Sequence, residues 1–356
     1  MRRATPYAVQ FLANAGSTVA VVYVPLLARD LGASGSTIGL LVATYQAALL
    51  VANVIFGRWA DFGNRRAFVV AGTALSAAAL AAHVFVHGLA GLFVARALTG
   101  LCMGVFPSAL VAYYYEGSKR LGRFSSSGAL GWGAGSLAAG AVALGWLFPF
   151  AGALTALGAV VAFAGLRDQH VRLSQPFFDA RVLGRNWRLY LSYYLRHAGA
   201  SSIWAIFPVY MSDVGASRLW VGILYGINPF AQFLFMNLLE RGREKPLIRA
   251  GLVVSVFVFL AYGFVPNHYW LVPVQVLLAL SWSLLYIGAL KRLLRRNPER
   301  STAVGMLQSV VGLAAVTGAL VTGITGAWGY RAVMLGATAF AVAGALTFLL
   351  VPDRER

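Results

Sequence analysis

The sequence predicts an all-α integral membrane protein with 12 transmembrane helices in two pseudo-symmetric six-helix bundles. Three observations predict this class: an apolar composition, a series of stretches long enough to cross a bilayer, and a repeat between the two halves. The chain of 356 residues is 59% hydrophobic and 11% charged, whereas soluble domains are usually about 45–50% apolar and about 25% charged. A surface so poor in charge excludes a soluble enzyme, a disordered protein and a fibrous protein.

Twelve apolar stretches, bounded by charged or turn residues, account for almost the whole chain. A helix needs about 20 residues to cross about 30 Å of hydrocarbon. Helices are expected because an open sheet edge cannot lie in lipid. The predicted spans are 7–29, 37–57, 67–87, 89–115, 124–144, 146–166, 187–211, 219–239, 247–265, 269–290, 302–326 and 330–351.

The basic residues predict the orientation of these spans. Of the 29 Lys and Arg residues, only Arg29, Arg218 and Arg331 fall in outer loops when the N-terminus is placed in the cytoplasm. This positive-inside bias predicts a multi-pass protein of the cell membrane with both termini cytoplasmic. It also explains the net charge of +18 without nucleic-acid binding. We expect the first span to be retained, because no small-residue cleavage site follows a short apolar core.

A polar stretch at 167–186 divides the chain into two predicted bundles, 1–166 and 187–356, and is read as a cytoplasmic linker. The bundles begin alike: Leu12–Gly16 (LANAG) matches Leu195–Gly199 (LRHAG), and the sequence DLGAS from Asp30 matches DVGAS from Asp213 at the same offset. A repeat in register indicates duplicated halves with the same direction. Parallel six-helix repeats are a design of secondary transporters.

The segment after the second span, Gly57–Arg66, reads GRWADFGNRR. Gly57 allows two helices to approach closely, and Asp61 can accept hydrogen bonds from the free N–H groups at the start of a helix. The segment resembles the loop between helices 2 and 3 of the major facilitator superfamily, and a weaker copy begins at Glu240. The resemblance implies the major facilitator fold, and that Asp61 faces the start of helix 11 near Ser301 and Thr302.

The resemblance also implies a gate at the cytoplasmic ends of the two bundles. Arg65 and Arg66 are expected to pair with Glu116. Glu240 is expected to face the start of helix 5, and Arg243 or Lys245 to face Glu299. Such contacts would stabilise an outward-open state; the alternative is that these charges only mark topology. The candidate gate residues are Gly57, Asp61, Arg65, Arg66, Glu116, Glu240, Arg243 and Glu299.

Two further resemblances concern helices 4 and 5. The pattern around Arg96, with Thr99 and Gly100, looks like the superfamily's helix 4 motif, whose arginine is linked to proton-coupled transport. The glycines from Gly128 to Gly140 look like the glycine-rich helix 5 motif of its antiporters, with Ser136 in place of the usual proline. The alternatives are an arginine bonded to neighbouring carbonyls and glycines that only permit tight packing.

Polar residues at helical spacing predict a substrate cavity between the halves. On span 7, His197, Ser201 and Trp204 share one face, and Asn14 on span 1 occupies the repeat position of His197. The alternative is a set of hydrogen bonds between helices. The candidate cavity residues are Gln10, Asn14, Arg96, Arg196, His197, Ser201, Trp204, Asn228, Gln275 and Trp282.

The interior charge of the spans is positive. The acidic residues lie near span ends, in the linker or at the C-terminus, whereas Arg96 and Arg196 lie inside spans 4 and 7. This argues against a cation site, which would require a buried carboxylate, and favours an anionic, zwitterionic or polar substrate. His197 titrates near neutral pH in its ordinary state, so His197 and Arg96 are the candidates for proton coupling.

The sequence therefore predicts a secondary active transporter that works by alternating access. The leading expectation is proton-coupled export of small amphipathic molecules or metabolites. The alternative is an importer or facilitator of organic anions or polar solutes, with a lipid-moving variant. A lipid-modifying membrane enzyme is a third class, disfavoured because no acid pair, metal-ligand spacing or nucleophile constellation lies at membrane depth. The expected partners are a small-molecule substrate, protons and the bilayer; we expect a monomer without cofactor or metal.

Overall fold

A computed structural model of the chain describes residues 4–33, 35–118, 120–142, 144–171 and 180–351. Within these ranges the chain forms 13 α-helices joined by short turns. Their bounds are α1 Thr5–Asp30, α2 Gly35–Trp59, α3 Arg65–Ala81, α4 Leu89–Met103, α5 Pro107–Ser118, α6 Leu121–Ala141, α7 Leu147–Gly165, α8 Ala180–Asp213, α9 Arg218–Leu238, α10 Glu244–Tyr262, α11 Leu271–Arg296, α12 Arg300–Thr325 and α13 Tyr330–Leu350.

The all-helical class predicted from the sequence is confirmed. Among the described residues, eight segments are both long enough and apolar enough to cross a membrane. They are Leu40–Trp59, Arg65–Phe85, Leu89–Ser118, Leu147–Gly165, Glu244–Tyr262, His268–Arg296, Arg300–Thr322 and Tyr330–Leu350. The predicted spans coincide with helices to within a few residues, apart from the fourth span, the start of the seventh, and the ends of the third and tenth. α3 ends at Ala81 instead of 87, and α11 continues to Arg296 instead of 290.

The fourth span consists of two helices where the sequence predicted one over 89–115. α4 ends at Met103 and α5 begins at Pro107. Proline has no N–H to donate and its ring fixes φ, so it is suited to the first position of a helix and not to its interior. The apolar pattern continues through this turn, and hydropathy therefore did not indicate the break.

α8 begins at Ala180, inside the stretch predicted as linker, and residues 172–179 of that stretch lie outside the described residues. Its first turns carry exposed Arg181 and Arg185, so an apolar window cannot detect them. The buried Asn186 donates to the carbonyl of Val182 at 2.9 Å. At 34 residues, α8 is about 50 Å long, more than a bilayer core requires.

The chain divides into two compact units. Unit 1 contains residues 1–179 and 294–309, and unit 2 contains residues 180–293 and 310–356. The end of α11 and the start of α12 thus pack with the first half of the sequence. The assignment of 1–166 and 187–356 as separate domains stays a prediction.

Close helix packing in unit 1 depends on the glycines of α6. A Cβ atom on Gly131 would lie 2.2 Å from the carbonyl oxygen of Phe11, and one on Gly135 would lie 2.4 Å from that of Ala15. Both oxygens belong to α1, so no larger residue fits at these two positions unless the helices separate. This contact fixes α1 and its polar residues against α6.

Candidate substrate site and gate

The loop after α2 places Asp61 against the first turn of α12, inside unit 1. Asp61 is fully buried. Its Oδ1 accepts from the N–H of Ser301 at 3.2 Å, and its Oδ2 accepts from the N–H and hydroxyl of Thr302 at 2.8 and 2.9 Å. These N–H groups have no partner within α12, and the helix dipole favours a negative charge there. We call these bonds the Asp61 gate contact.

Arg65 extends this contact to a second carboxylate. Its guanidinium is buried and donates to Asp61 at 2.9 Å, to the hydroxyl of Ser301 at 3.2 Å and to Glu116 at 3.4 Å. Glu116 also accepts from Arg300, which begins α12. Two acids and two arginines therefore join α3, α5 and α12. Gly57 lies beside them: a Cβ atom on Gly57 would be 3.0 Å from the carbonyl oxygen of Ser301.

Arg66 does not pair with Glu116, so that part of the prediction is wrong. It donates to Asp168 at 3.2 Å and to the carbonyl of Phe163 at 2.8 Å. Consecutive residues of a helix point about 100° apart, so Arg65 faces the interior while Arg66 faces α7. The pKa of Asp168 is lowered from its ordinary value, first by a hydrogen bond from Asn64 and then by the one from Arg66.

The remaining candidate gate residues are divided between the units. Glu299 is buried in unit 1. In unit 2, Arg243 is exposed, and the backbone carbonyl of Glu240 accepts from Lys291. The contacts expected of Glu240 and Arg243 stay predictions.

Arg196 lies in the interior of unit 2 with 1% of its surface exposed. Its Nε donates to the hydroxyl of Ser255 on α10 at 2.8 Å, and its Nη2 donates to that of Ser281 on α11 at 3.0 Å. The guanidinium carbon is 5.1 Å from the ring centre of Phe259 and 5.5 Å from that of Trp282. The arginine is thus held by neutral groups, and within the described residues no carboxylate forms an ion pair with it.

Several aromatic rings contact Trp282, the tryptophan next to this guanidinium. Trp282 stacks on Tyr286 with ring centres 5.5 Å apart, and it lies 5.1 Å from the half-buried ring of His197 and 5.7 Å from Tyr193. The Nδ1 of His197 is buried, and no described residue forms a hydrogen bond with it. We call Arg196, His197, Trp282 and the two tyrosines the Arg196 cluster. It combines one positive charge with a wall of apolar ring surface.

Unit 1 also contains a buried arginine, Arg96. It is 3% exposed, and its guanidinium carbon lies 4.0 Å from the ring centre of Tyr45 on α2. Among the described residues, neither Nε nor Nη1 of Arg96 has a hydrogen-bond partner. The expected alternative, bonds to neighbouring carbonyls, does not account for these two donors. A cation–π contact alone compensates the charge only in part.

Three amide side chains form a separate polar group in unit 2. Asn228 on α9 lies 3.4 Å from the side-chain oxygen of Gln275 on α11 and accepts from Gln232. Nearby on α8, Trp204 lies 5.4 Å from Tyr225, whereas Ser201 packs against α12 at Gly318. Hydrogen bonding between helices, the alternative to a cavity, is therefore present between Asn228 and Gln275.

Two polar residues of α1, Asn14 and Thr18, donate to backbone carbonyls of their own helix. Asn14 donates to the carbonyl of Gln10 at 2.8 Å, and Thr18 donates to that of Asn14 at 2.8 Å. Both amides pack against Gly128 of α6, where a Cβ would lie 2.8 Å from the Gln10 nitrogen. Asn14 and Gln10 stay half-buried, so their place in a substrate cavity remains a prediction.

Sequence reasoning missed the residues that hold the two interior arginines. Ser255, Ser281, Phe259 and Tyr45 lie on neighbouring helices and belong to no motif. Their only signal is a small or aromatic residue within an apolar span, which is common in membrane helices. Arg300, which pairs with Glu116, is not among the gate residues that the sequence predicts.

Comparisons with known proteins agree on one family. The sequence model described as Major Facilitator Superfamily matches residues 7–227 and 189–356. An uncharacterized MFS-type transporter of Methanocaldococcus jannaschii is 22% identical over 261 residues, which cover 65% of this chain and 66% of that protein, just under two thirds of its length. The crystal structure of the human organic anion transporter MFSD10 (TETRAN) matches with a TM-score of 0.85 at 14% identity, over 97% of this chain and 98% of that one. The last match confirms the predicted fold.

Proposed function

Because this chain belongs to the major facilitator superfamily and is a multi-pass secondary transporter, we propose that its substrates are small organic anions bound at Arg196. The family consists of transporters, which confirms that the protein is not an enzyme. A small-molecule substrate and the bilayer follow from the same membership. The proposal concerns the charge and shape of the substrate, and the observation that carries it is the environment of Arg196.

A buried guanidinium without a carboxylate partner favours an anionic ligand. Removing a charge from water costs several kcal/mol even after relaxation, and hydroxyl groups compensate only part of that cost. The two serines use Nε and Nη2, and no described residue forms a hydrogen bond with Nη1. A carboxylate or phosphate that binds the guanidinium of Arg196 supplies the compensating negative charge and matches the planar arrangement of its N–H donors.

The aromatic neighbours of Arg196 favour a substrate with an apolar body. Trp282 lies beside the guanidinium, and the rings of Tyr286 and Tyr193 contact Trp282. Aromatic rings stack well on flat apolar groups. An organic cation is disfavoured because it would approach a fixed positive charge in a medium of low dielectric constant. We therefore infer an amphipathic anion, such as an aromatic or acyl carboxylate.

The human structural relative is an organic anion transporter, but at 14% identity this likeness carries the fold and not the substrate. The anion proposal depends on Arg196 alone. We also propose that transport breaks and re-forms the Asp61 gate contact, because its donors are N–H groups that have no partner within their own helix, and water can take the place of Asp61 when the contact opens.

Flux into proteoliposomes tests the substrate class. We expect saturable uptake of an aromatic carboxylate such as labelled benzoate or indole acetate, inhibited by other organic anions. The corresponding neutral amides should inhibit at least about tenfold less well, as expected for the loss of one charge-assisted hydrogen bond of about 1.5–3 kcal/mol. Equal inhibition by the amides, or preferred transport of organic cations, would contradict the proposal.

Proton-coupled export is the second candidate, and Arg96 is the observation that favours it. Its helix resembles the superfamily motif linked to proton coupling, and its Nε and Nη1 have no partner in the described part of the chain. We expect a pH gradient to accelerate export if this candidate holds, measured as flux at equal internal and external substrate with and without the gradient. Flux indifferent to the gradient would leave a facilitator.

The cytoplasmic position of both termini remains part of this proposal. It is supported by the near absence of basic residues from the predicted outer loops. The monomeric state is likewise proposed, because each half of the repeat supplies one bundle of a complete transporter.

A further inference from the structure

A small cavity lies in unit 2 where the end of α13 meets α8 and α10. Its volume is about 140 Å³, and it is lined by Arg188, Lys245, Arg249 and the residues Phe348–Val351. It is separate from the Arg196 cluster in composition, since none of that cluster's residues lines it. Nothing in the proposed transport function uses it.

The cavity is strongly basic. Three of its seven lining residues carry a positive charge and none carries a negative one. The guanidinium of Arg188 lies 4.7 Å from the Phe348 ring centre, and that of Arg292 lies 5.8 Å from the same ring. The closest acid along the chain is Glu244, which begins α10 but does not line the cavity.

Arg249 supplies a cation that is available to a ligand. Its side chain is exposed, and no hydrogen bond or ion pair joins it to another described residue. Arg188, by contrast, donates to the backbone carbonyl of Phe348 and so satisfies one of the last carbonyl groups of α13. The cavity therefore has one anchored and one unengaged guanidinium, in addition to the ammonium group of Lys245.

Exposed apolar residues occur in the lining of the cavity and next to Arg188 along α8. Leu349 and Leu350, which line it, are 39% and 72% exposed. On α8, Leu183, Trp187 and Leu191 are exposed at intervals of four residues and flank Arg188, so they form one stripe. Exposed tryptophan beside basic residues is typical of the interface between membrane and water.

We propose that this cavity binds the phosphate group of an anionic membrane lipid, with the acyl chains along the leucine and tryptophan stripe. Arginine and lysine form strong charge-assisted bonds with phosphate oxygens, and basic pockets between transmembrane helices are suited to lipid headgroups. The adjoining apolar stripe favours a lipid over a free phosphate ion. The site does not depend on the identity of the transported substrate.

Thermal unfolding of the full chain in nanodiscs tests the lipid site. With phosphatidylglycerol added to phosphatidylcholine, we expect the unfolding midpoint to rise by several degrees, because a ligand that binds only the folded state stabilises it. The double variant Lys245→Gln/Arg249→Gln should lose more than half of this rise. The matched control Arg295→Gln/Arg331→Gln removes two exposed charges elsewhere and should keep it.

Two outcomes would overturn the proposal. One is an equal rise in the Lys245→Gln/Arg249→Gln variant and the parent. The other is an equal rise on adding inorganic phosphate to nanodiscs of phosphatidylcholine alone, which would assign the cavity to a free anion. If the double variant does not fold, the single variant Arg249→Gln carries the test, because this exposed side chain bonds to no other described residue.

Discussion

Arg196→Gln is expected to raise the KM for anion transport strongly while leaving a folded protein. The substitution removes the only permanent charge in the interior of the Arg196 cluster but keeps a donor that can reach Ser255 or Ser281. A charge-assisted hydrogen bond contributes about 1.5–3 kcal/mol, so its loss raises KM by about 10- to 150-fold. The measurement is the concentration dependence of uptake in proteoliposomes.

Three variants separate substrate binding from stability. Ser281→Ala removes one support of the guanidinium and keeps its charge, so we expect a smaller rise in KM. Arg196→Lys keeps the charge without the planar donor geometry and should fall between the parent and Arg196→Gln. Arg331→Gln removes an exposed charge from the same unit and should transport normally. A folded Arg196→Gln protein with the KM of the parent would refute the assignment.

Asp61→Asn is expected to slow transport mainly through the maximal rate. Asparagine has the same shape, but its NH₂ group cannot accept the bonds that now come from Thr302 or from Ser301 and Arg65. Removing one member of a buried ion pair costs about 3–5 kcal/mol. A shift of only about 1.4 kcal/mol between conformational states changes their ratio tenfold, so we expect Vmax to fall by about tenfold or more.

Thiol labelling reports on the gate contact directly. Ser108 is fully buried beside Gly57 and Gly305, and Ser108→Cys in a Cys102→Ala background provides one thiol at that place. A water-soluble maleimide should label it slowly in the parent and faster when Asp61→Asn is added. Asp168→Asn removes an exposed carboxylate from Arg66 and serves as the control, because exposed ion pairs contribute little. Unchanged flux and labelling in a folded Asp61→Asn protein would exclude the gate role.

The fold was largely predictable because membrane spans have a strong physical signature. A run of about 20 apolar residues has few alternatives to a helix in lipid, and 11 of the 12 predicted spans correspond to single helices. The exceptions have specific causes. Pro107 divides the fourth span without interrupting its apolar pattern, and the polar start of α8 is helical outside the apolar window.

The candidate site was predictable only at positions where the residue type is rare in a membrane span. Arg96 and Arg196 were selected because a buried charge in a membrane span is rare, and both are buried. Their partners were not predictable, since serine and tyrosine are common in membrane helices. Only the structure shows that Ser255, Ser281 and Tyr45 contact the arginines. The predicted partner of Arg66 was wrong for a related reason. Adjacent residues in a helix point in different directions, and the sequence does not show which one faces inward.

The unbroken length of α8 links the basic cavity to the Arg196 cluster. Arg188 of the basic cavity and Arg196 lie eight residues apart on this one helix, about 12 Å along its axis. A tilt or rotation of α8 as a rigid rod displaces both. Allosteric coupling between two binding equilibria is reciprocal, so any factor by which anionic lipid changes the affinity for substrate is the factor by which substrate changes the affinity for lipid. On the two binding proposals, we therefore expect the anionic-lipid content of the bilayer to change the apparent affinity for substrate.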